Sequence, residues 1–306
     1  MTGNHPLYAV LERKLAKLKG AEAACVFGSG YLANTGIIPA LIGAEDMVCV
    51  DELSHACLYA GATLARGARH VFRHNDVDHL AEILNTHRAD HPRALIVTDG
   101  VFSMDGDLAP LAALADIADE FDAWLMTDDA HGIGVLGGGR GSSYVNGSGG
   151  RVPLQMGTLS KAIGGYGGYL CASRAVIDLI LSRGRTLIYS TGLPPGVTAA
   201  AIAALELIEN DPEFAALPLD KARAFTRMLG LPEAESPIVP VVLGETEPTM
   251  AAARLLEDEG FLVVPIRPPT VADGTARLRI TFSAAHDNAD IERLADIIKT
   301  RIIDAP

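Results

Sequence analysis

The sequence predicts an α/β protein with a mostly parallel β-sheet, followed by a smaller α+β unit. Two observations lead to this prediction. Short, nearly continuous apolar runs alternate with helical periodicity over the first two thirds of the chain, which is typical of parallel strands covered by helices on both faces. The pattern changes near residues 210–212. We therefore predict two domains, over residues 1–212 and 213–306.

The first elements are a helix, a strand and a second helix. Pro6 suits the first turn of the helix predicted over residues 6–19, and Gly20 ends it. One face of this helix carries four leucines, which are Leu7, Leu11, Leu15 and Leu18. A short apolar strand over 23–27 then leads through a glycine-containing turn into a helix over 31–41.

Strands and helices alternate through the rest of the first domain. Strands are predicted over residues 47–50, 70–72, 94–98, 124–127, 154–157, 168–172 and 187–189. Helices are predicted over residues 58–66, 77–87 and 108–121, the last with Leu111, Leu114, Ala115 and Ala118 on one face. Ligands of open α/β sheets bind at the carboxyl ends of the strands, so polar residues directly after strands are the candidate site residues.

The second domain is predicted to be a small α+β unit. Its strands are predicted over residues 238–243, 262–265 and 277–282, and its helices over 249–259 and 289–303. The only low-complexity stretch, residues 137–150, is rich in glycine and serine and is predicted to be a loop.

Charge and composition exclude several classes of partner. The 306 residues include 38 acidic and 25 basic side chains, a net charge of −13, which argues against nucleic acid and anionic membranes. No apolar run approaches the roughly 20 residues of a membrane-spanning helix. The four cysteines show no CxxC spacing, and we expect reduced thiols in a cytoplasmic protein.

Two candidate sites follow strands in the first half of the chain. Glycines at Gly28 and Gly30 before a helix suit either a phosphate, held by backbone N–H groups at the helix N-terminus, or an ordinary tight turn. Asp128 and His131, directly after the strand over 124–127, can face one ligand, although a capped turn or a metal site would use the same residues.

Glycines at Gly132, Gly134 and Gly137 match the GxGxxG pattern of dinucleotide-binding proteins. More glycines follow where that fold needs a helix, and no acidic residue lies about 20 positions further on. The sequence therefore argues against binding of a nicotinamide or flavin through this motif.

Lys161 lies among small, uncharged residues and is followed by a glycine-rich stretch over 164–168. Desolvation lowers the pKa of a lysine and frees its amine for Schiff-base chemistry. The glycines would leave room for a flat ring. The alternative is a surface lysine on a glycine-rich loop.

Arg277 and Arg279 alternate along a predicted strand, which puts both side chains on one face. Arginine suits the bidentate capture of a carboxylate. A solvated strand face would show the same pattern.

Together these residues describe one kind of chemistry. A lysine can hold an aldehyde cofactor, an aspartate can pair with a protonated ring nitrogen, and a histidine can contact the ring. Glycines and hydroxyl groups can surround a phosphate, and an arginine can hold the carboxylate of an amino acid. This set indicates pyridoxal 5′-phosphate (PLP) chemistry on an amino-acid substrate.

Six motifs in this order resemble the α-oxoamine synthases, a branch of the fold-type-I PLP enzymes. They are TGNHPL (2–7), DELSHA (51–56), GVFSMDGD (100–107), DDAHG (128–132), GTLSKA (157–162) and ARLR (276–279). The resemblance spans nearly the whole chain. It implies fold type I, with a mostly parallel seven-stranded sheet and a smaller C-terminal α+β domain.

The resemblance implies four catalytic residues. Lys161 matches the Schiff-base lysine and Asp128 the partner of the pyridine nitrogen. His131 matches the residue that contacts the phenolic oxygen of the cofactor, and His55 the residue stacked on its ring.

Further residues are implied to bind cofactor or substrate. They are Gly30, Tyr31 and Thr158 near the phosphate, Ser103 near ring and substrate, Arg279 at the substrate carboxylate, and Ser190 and Thr191 at the phosphate of a neighbouring subunit. A homodimer with shared active sites is therefore implied.

The implied reaction is the decarboxylative condensation of an amino acid with an acyl-CoA, which releases CoA and CO₂. Family members normally carry several dozen further residues ahead of the position of Met1, and these residues help to bind the acyl-CoA. We therefore expect the first domain to be N-terminally truncated relative to the family, and cofactor binding to survive in the chain as given.

Overall fold

The larger sheet of the protein has seven strands in the order β1-β7-β6-β5-β4-β2-β3. In the computed structural model, which describes residues 4–304, these strands are β1 (Ala23–Phe27), β2 (Met47–Asp51), β3 (Ala68–Phe72), β4 (Ala94–Asp99), β5 (Trp124–Asp128), β6 (Leu154–Thr158) and β7 (Gly168–Ala172). Strands β3, β2, β4, β5 and β6 run parallel, whereas β7 is antiparallel to β6 and β1. The prediction of a mostly parallel seven-stranded sheet is confirmed.

Helices cover both faces of this sheet. They are α1 (Pro6–Lys19), α2 (Gly30–Leu41), α3 (Ala56–Leu64), α4 (Val77–His87), α5 (Leu111–Glu120), α6 (Arg174–Arg183), α7 (Arg185–Ile188) and α8 (Pro195–Asn210). Val48 and Val50 of β2 belong to the core under α2, α3 and α6, while Met47 and Cys49 belong to the core under α4 and α5. Alternate residues of a strand thus bury on opposite faces, which explains the continuous apolar runs.

The strand predicted over residues 187–189 is wrong, because this segment is the helical turn α7 and the residue after it. The backbone N–H groups of Leu187 and Ile188 both donate to the carbonyl of Gly184. An apolar run of three residues has no periodicity that distinguishes a strand from a helical turn. Local hydrogen bonds satisfy the backbone here without a partner strand.

The described residues up to Phe102, together with Leu108–Pro212, form one compact unit, and Ser103–Asp107 group with the residues from Glu213 onward. The second unit contains α9 (Pro212–Leu229), β8 (Ile238–Gly244), α10 (Thr246–Asp258), β9 (Val264–Ile266), β10 (Ala276–Thr281) and α11 (Asn288–Ile298), which continues as a π-helical turn, Lys299–Ile303. Its antiparallel sheet has the order β8-β10-β9. The sequence did not predict that residues 103–107 would belong with this unit.

Three helices were not predicted from the sequence, namely α6, α8 and α9. The alanine-rich middle of α8 lacks contrast between apolar and polar positions, and α9 contains Pro218 in its interior. Within residues 4–304, no helix is both long and apolar enough to span a bilayer. Thr2 and Gly3, which open the first family motif, lie outside the described residues.

Candidate active site

Three aspartates end neighbouring parallel strands of the large sheet. Asp51 ends β2, Asp99 ends β4 and Asp128 ends β5, and all three are buried. Asp99 and Asp128 are direct neighbours in the register of β4 and β5. Three carboxyl groups therefore lie at the carboxyl edge of the sheet, which is where ligands of such sheets bind.

Asp128 accepts three hydrogen bonds, one of them from the Cys57 thiol, whose Sγ lies 3.8 Å from Oδ2. Asn34 of α2 donates from Nδ2 to Oδ2 over 2.7 Å, and the backbone N–H of Ala130 donates to Oδ1 over 3.0 Å. Burial raises the pKa of Asp128, while the bond from Asn34 and the positive charge of Lys161 oppose that rise. Hydrogen bonds to an ionised carboxylate favour its charged form. This environment suits a carboxylate that pairs with a protonated ring nitrogen.

His55 caps the N-terminus of α3 at the same edge of the sheet. Its Nδ1 accepts the backbone N–H of Cys57 over 3.2 Å and lies 2.8 Å from the Cys57 Sγ. Its own backbone N–H donates to Asp99 Oδ2 over 2.7 Å. The proximity of His55 also lowers the pKa of Asp128.

Lys161 lies in the turn that follows β6 and is exposed. Of the two alternatives that the sequence left open, a desolvated lysine and a surface lysine on a glycine-rich loop, the exposure of the side chain favours the second. The small residues around Lys161, which include Gly164 and Gly165, provide little side-chain bulk to cover the amine. The Lys161 ammonium nevertheless lowers the pKa of both Asp99 and Asp128. Lys161 follows β6, the parallel neighbour of β5, so its turn lies at the same edge of the sheet as Asp128.

The N-terminus of α2 and the end of β6 lie side by side. A Cβ placed on Gly30 would lie 3.6 Å from the Cβ of Thr158, so only a residue without a side chain leaves this space open. Thr158 is buried and donates from its hydroxyl to the carbonyl of Gly167 over 2.8 Å. Ser160, which the sequence did not single out, shares a 2.8 Å hydrogen bond with the Thr158 hydroxyl. Amides of the first helical turn lack partners within the helix and suit an anion such as phosphate.

The other candidate residues of the first unit lie in connecting segments and at the start of a helix. His131 is half-buried in the turn after β5. Tyr31 is 57% exposed in the first turn of α2. Ser190 is half-buried and Thr191 is exposed, both in the segment between α7 and α8. Their expected contacts with cofactor or with a neighbouring subunit stay predictions.

Asp129, next to Asp128, has a separate structural role. It forms a fully buried ion pair with Lys19 of α1, with 2.6 Å between Nζ and Oδ2. A Cβ on Gly141 would lie 1.6 Å from that same carboxylate oxygen, and one on Gly132 would lie 2.0 Å from the other. The glycines after residue 131 therefore allow the loop to close around this ion pair. The ion pair thus accounts for Gly132, the first glycine of the GxGxxG match.

In the second unit, Arg277 and Arg279 both contact the segment 103–107. Arg277 is buried and forms an ion pair with Asp105. Arg279 donates to the neutral oxygens of the Ser103 carbonyl and the Thr281 hydroxyl. Burial lowers the pKa of Arg279. Its side chain also lines a cavity of about 480 Å³.

The two arginines thus differ although they alternate on one strand. The charge of Arg277 is matched by a carboxylate, whereas the hydrogen bonds of Arg279 go to uncharged oxygens. The prediction of a substrate-binding arginine accordingly rests on Arg279.

The first unit therefore places His55, Asp128 and Lys161 at the carboxyl ends of the parallel strands β2, β5 and β6, on one edge of its sheet. Sequence reasoning missed Asp99 and Asn34. Asp99 carried the same signal as Asp128, a carboxylate at the end of an apolar strand. Asn34 was recognisable as a polar residue within an otherwise apolar helix, although only the fold shows that it contacts Asp128.

These residues fit PLP. The group needs a carboxylate for its ring nitrogen, an amine for its aldehyde and an anion site for its phosphate. Asp128, Lys161 and the N-terminus of α2 meet these three needs within one unit. The buried Oδ1 of Asn34 also has no partner among the described residues, which is consistent with a polar ligand at this site.

Comparisons with known proteins show the family of this chain. The model of the family "Aminotransferase class I and II" matches residues 2–298. An 8-amino-7-oxononanoate synthase of Methylocella silvestris is 62% identical over 98% of this chain and 85% of the relative. Another of Beijerinckia indica is 60% identical over 97% of this chain and 77% of the relative.

Solved structures show the same relationship. A serine palmitoyltransferase of Sphingomonas wittichii superposes with a TM-score of 0.93 at 30% identity, over 98% of this chain and 77% of that chain. The 8-amino-7-oxononanoate synthase of Francisella tularensis superposes with a TM-score of 0.83 at 25% identity, over 99% and 89%. The chain belongs to the aminotransferase class I and II family, as a PLP-dependent enzyme of its α-oxoamine synthase branch.

Proposed function

We propose that this enzyme condenses L-alanine with pimeloyl-CoA to give 8-amino-7-oxononanoate, CoA and CO₂, a step of biotin biosynthesis in the cytoplasm. The observation that carries the chemistry is the position of His55, Asp128 and Lys161 at the carboxyl ends of the parallel strands β2, β5 and β6. The choice of substrates is supported by the names of relatives about 60% identical to this chain. The segments 3–7 and 275–279 of the sequence favour the same subfamily.

The chain's own residues supply binding, charge and proton transfer. PLP, when bound, supplies a protonated ring that accepts the electron pair left by loss of a proton or of CO₂ from the substrate. Asp128 would keep that ring nitrogen protonated, because Asn34 and Ala130 hold its carboxylate in the charged form. His55 would cover one face of the ring, and His131 would contact its phenolic oxygen.

Lys161 would hold the cofactor and, once displaced by the amino acid, take the α-proton of the substrate. The exposed position of its amine leaves Nζ accessible for both tasks. Gly30, Tyr31 and Thr158 would bind the phosphate. In the second unit, Arg279 would hold the substrate carboxylate beside Ser103, with the cation matched to the anion in a fork geometry.

We also propose a homodimer in which Ser190 and Thr191 reach the phosphate of the partner's site. Thr191 is exposed and precedes α8 by only a few residues, so its hydroxyl is available to a second copy. Acyl-CoA binding and the dimer rest on the resemblance to the family.

A second α-oxoamine synthase activity is a candidate, because serine palmitoyltransferases superpose closely at 30% identity. The alternatives are a sphingoid-base synthase, a 2-amino-3-ketobutyrate CoA ligase and a 5-aminolevulinate synthase. All share the residues around the ring and differ in amino acid and acyl chain. A PLP-binding homologue without catalysis is the remaining alternative.

Substitution of Lys161 tests the shared chemistry. The protein reconstituted with PLP should show a visible absorption band that borohydride abolishes, with the added mass on the peptide that contains Lys161. Lys161→Ala should lose the borohydride-stable label and lower the rate of CoA release by several orders of magnitude. Lys221→Ala, which removes a lysine from the second unit, is the matched control. A wild-type chain that PLP does not colour would contradict the proposal.

A panel of substrates tests the specificity. L-alanine, glycine and L-serine are each added with pimeloyl-CoA or palmitoyl-CoA, and CoA release is measured. The proposal expects turnover with L-alanine and pimeloyl-CoA. Turnover with serine and palmitoyl-CoA alone would assign the second candidate, and a spectral response to amino acids without CoA release would assign the non-catalytic homologue.

A further inference from the structure

Asp99 is a buried acidic residue beside the proposed site to which the mechanism above gives no role. It ends β4 directly next to Asp128 in the register of the sheet. Only 5% of its surface is exposed, and 4% of that of Asp128. Two carboxylates placed side by side in a buried environment cannot both be ionised without a large electrostatic cost. The favoured state of the pair is therefore the one in which one carboxyl group is ionised and the other is protonated.

The hydrogen bonds show which of the two keeps the charge. Asp128 accepts from three donors, the side chains of Asn34 and Cys57 and the backbone of Ala130. Asp99 accepts from one donor, the backbone N–H of His55. The carboxylate with more donors is the one whose charged form is better stabilised.

The surrounding charges agree with this division. Burial and the charges of Asp128 and Asp51 raise the pKa of Asp99 well above its usual range. The His55 N–H and the charge of Lys161 oppose that rise. Asp128 lies on β5, Asp51 on β2, His55 at the N-cap of α3 and Lys161 in the turn after β6.

The bond from His55 to Asp99 connects this acid to the ring site. His55 is the N-cap of α3, and its backbone is extended there, with φ −56° and ψ 144°. The Asp99 carboxyl holds the backbone N–H of His55 over 2.7 Å. The backbone N–H of Cys57 holds the Nδ1 atom of the His55 imidazole. The direction of the His55 ring therefore depends on both contacts.

We propose that Asp99 is a positioning residue of the cofactor site, which anchors His55 through its backbone N–H and acts in the uncharged form, so that Asp128 alone carries the negative charge. This inference rests on the proposed function. It assigns different tasks to two neighbouring aspartates: Asp99 orients the histidine that covers the ring, and Asp128 supplies the charge beneath the ring nitrogen.

Three substitutions in the full chain test this division. Asp99→Asn keeps an uncharged oxygen that can accept the His55 N–H, Asp99→Ala removes the acceptor, and Asp128→Asn removes the charge. Asp116→Asn, on an exposed aspartate that pairs with Arg151, is the matched control for the chemical change itself. For each variant, PLP affinity is measured by titration of the visible absorption band. The band is then recorded from pH 5 to 10, and the pH at the midpoint of its change is determined.

Asp99→Ala should weaken PLP binding about tenfold, because a buried N–H is left without its acceptor. Asp99→Asn should restore the affinity to within about threefold of wild type and leave the pH midpoint in place. Asp128→Asn should shift the midpoint and weaken binding. Thermal midpoints of the apoproteins distinguish a positioning role from a purely structural one. A purely structural role predicts that Asp99→Asn lowers the thermal midpoint and does not recover the spectrum of the wild type.

Two results would overturn the role of Asp99: PLP affinity of Asp99→Ala equal to wild type, or a pH midpoint in Asp99→Asn displaced as far as in Asp128→Asn. Either would leave the proposed function intact, because the wild-type chain would still bind PLP. A wild-type chain that binds no PLP would overturn the proposed function and this inference together.

Discussion

Two adjacent aspartates have different roles because their surroundings differ. Asp128 and Asp129 are adjacent in the chain, yet Asp128 receives neutral donors at the proposed site and Asp129 forms a buried ion pair with Lys19. The Lys19 ammonium also donates to the carbonyl of Arg140 over 2.6 Å, so the pair closes the loop after β5. A buried ion pair is costly to break because the remaining charge stays without a partner.

Substitution of Lys19 tests this pair. Lys19→Met should destabilise the protein by about 3–5 kcal/mol, because Asp129 is left as an uncompensated buried charge. The double variant Lys19→Met with Asp129→Leu should recover most of that loss. Chemical denaturation of the apoproteins measures both changes. Equal stability of the single and double variants would show that the charge of Asp129 is not the cause.

At the scale of elements, close contacts between helices explain where glycine is required. Gly36 lies inside α2, and a Cβ there would lie 2.1 Å from the Thr186 hydroxyl of α7. That hydroxyl donates to the carbonyl of Leu32 over 2.5 Å, which fastens α7 against α2. Gly196, in the first turn of α8, has nothing within 4 Å of the same position. The two helical glycines therefore have different reasons to be present.

Alanine at each position separates these reasons. Gly36→Ala should destabilise the protein by about 1–3 kcal/mol, because the added methyl group displaces Thr186. Gly196→Ala should stabilise it by about 0.5–1 kcal/mol, since alanine has the higher helix propensity and meets open space. Denaturant midpoints of the two variants give the comparison. Stabilisation by Gly36→Ala would mean that α7 moves away without cost.

At the scale of the whole molecule, each unit has its own hydrophobic core. The cores of the first unit lie on the two faces of the seven-stranded sheet. A separate core in the second unit includes Phe225, Leu278 and Phe282, with ring centroids of the two phenylalanines 5.1 Å apart. A domain with its own core can unfold with its own stability.

Phe225→Ala tests whether the second core is energetically distinct. Phe225 is fully buried, so its truncation should cost about 3–5 kcal/mol, and amide-hydrogen exchange should speed up in β8, β10 and α11. Protection in β4 and β5 of the large sheet should change little. An equal loss of protection in both units would show that the protein unfolds as one cooperative body.

The sequence by itself determined the fold class and most of the element bounds, because burial on both faces leaves continuous apolar runs that do not depend on distant partners. The four residues predicted on one face of α5 are the four that the structure buries there. Helix α7 and the proline-containing α9 were beyond local patterns, since a short run or an interior proline is decided by the surrounding contacts.

The sequence also indicated the candidate residues at strand ends, because their types carry the chemistry. Only the tertiary structure decided which of them act on each other. Asn34 and Asp128 are 94 positions apart in the chain, and Asp99 and His55 are 44 apart. Parallel strands bring such distant carboxyl ends to one edge, where the two buried carboxylates of Asp99 and Asp128 receive different hydrogen-bond donors.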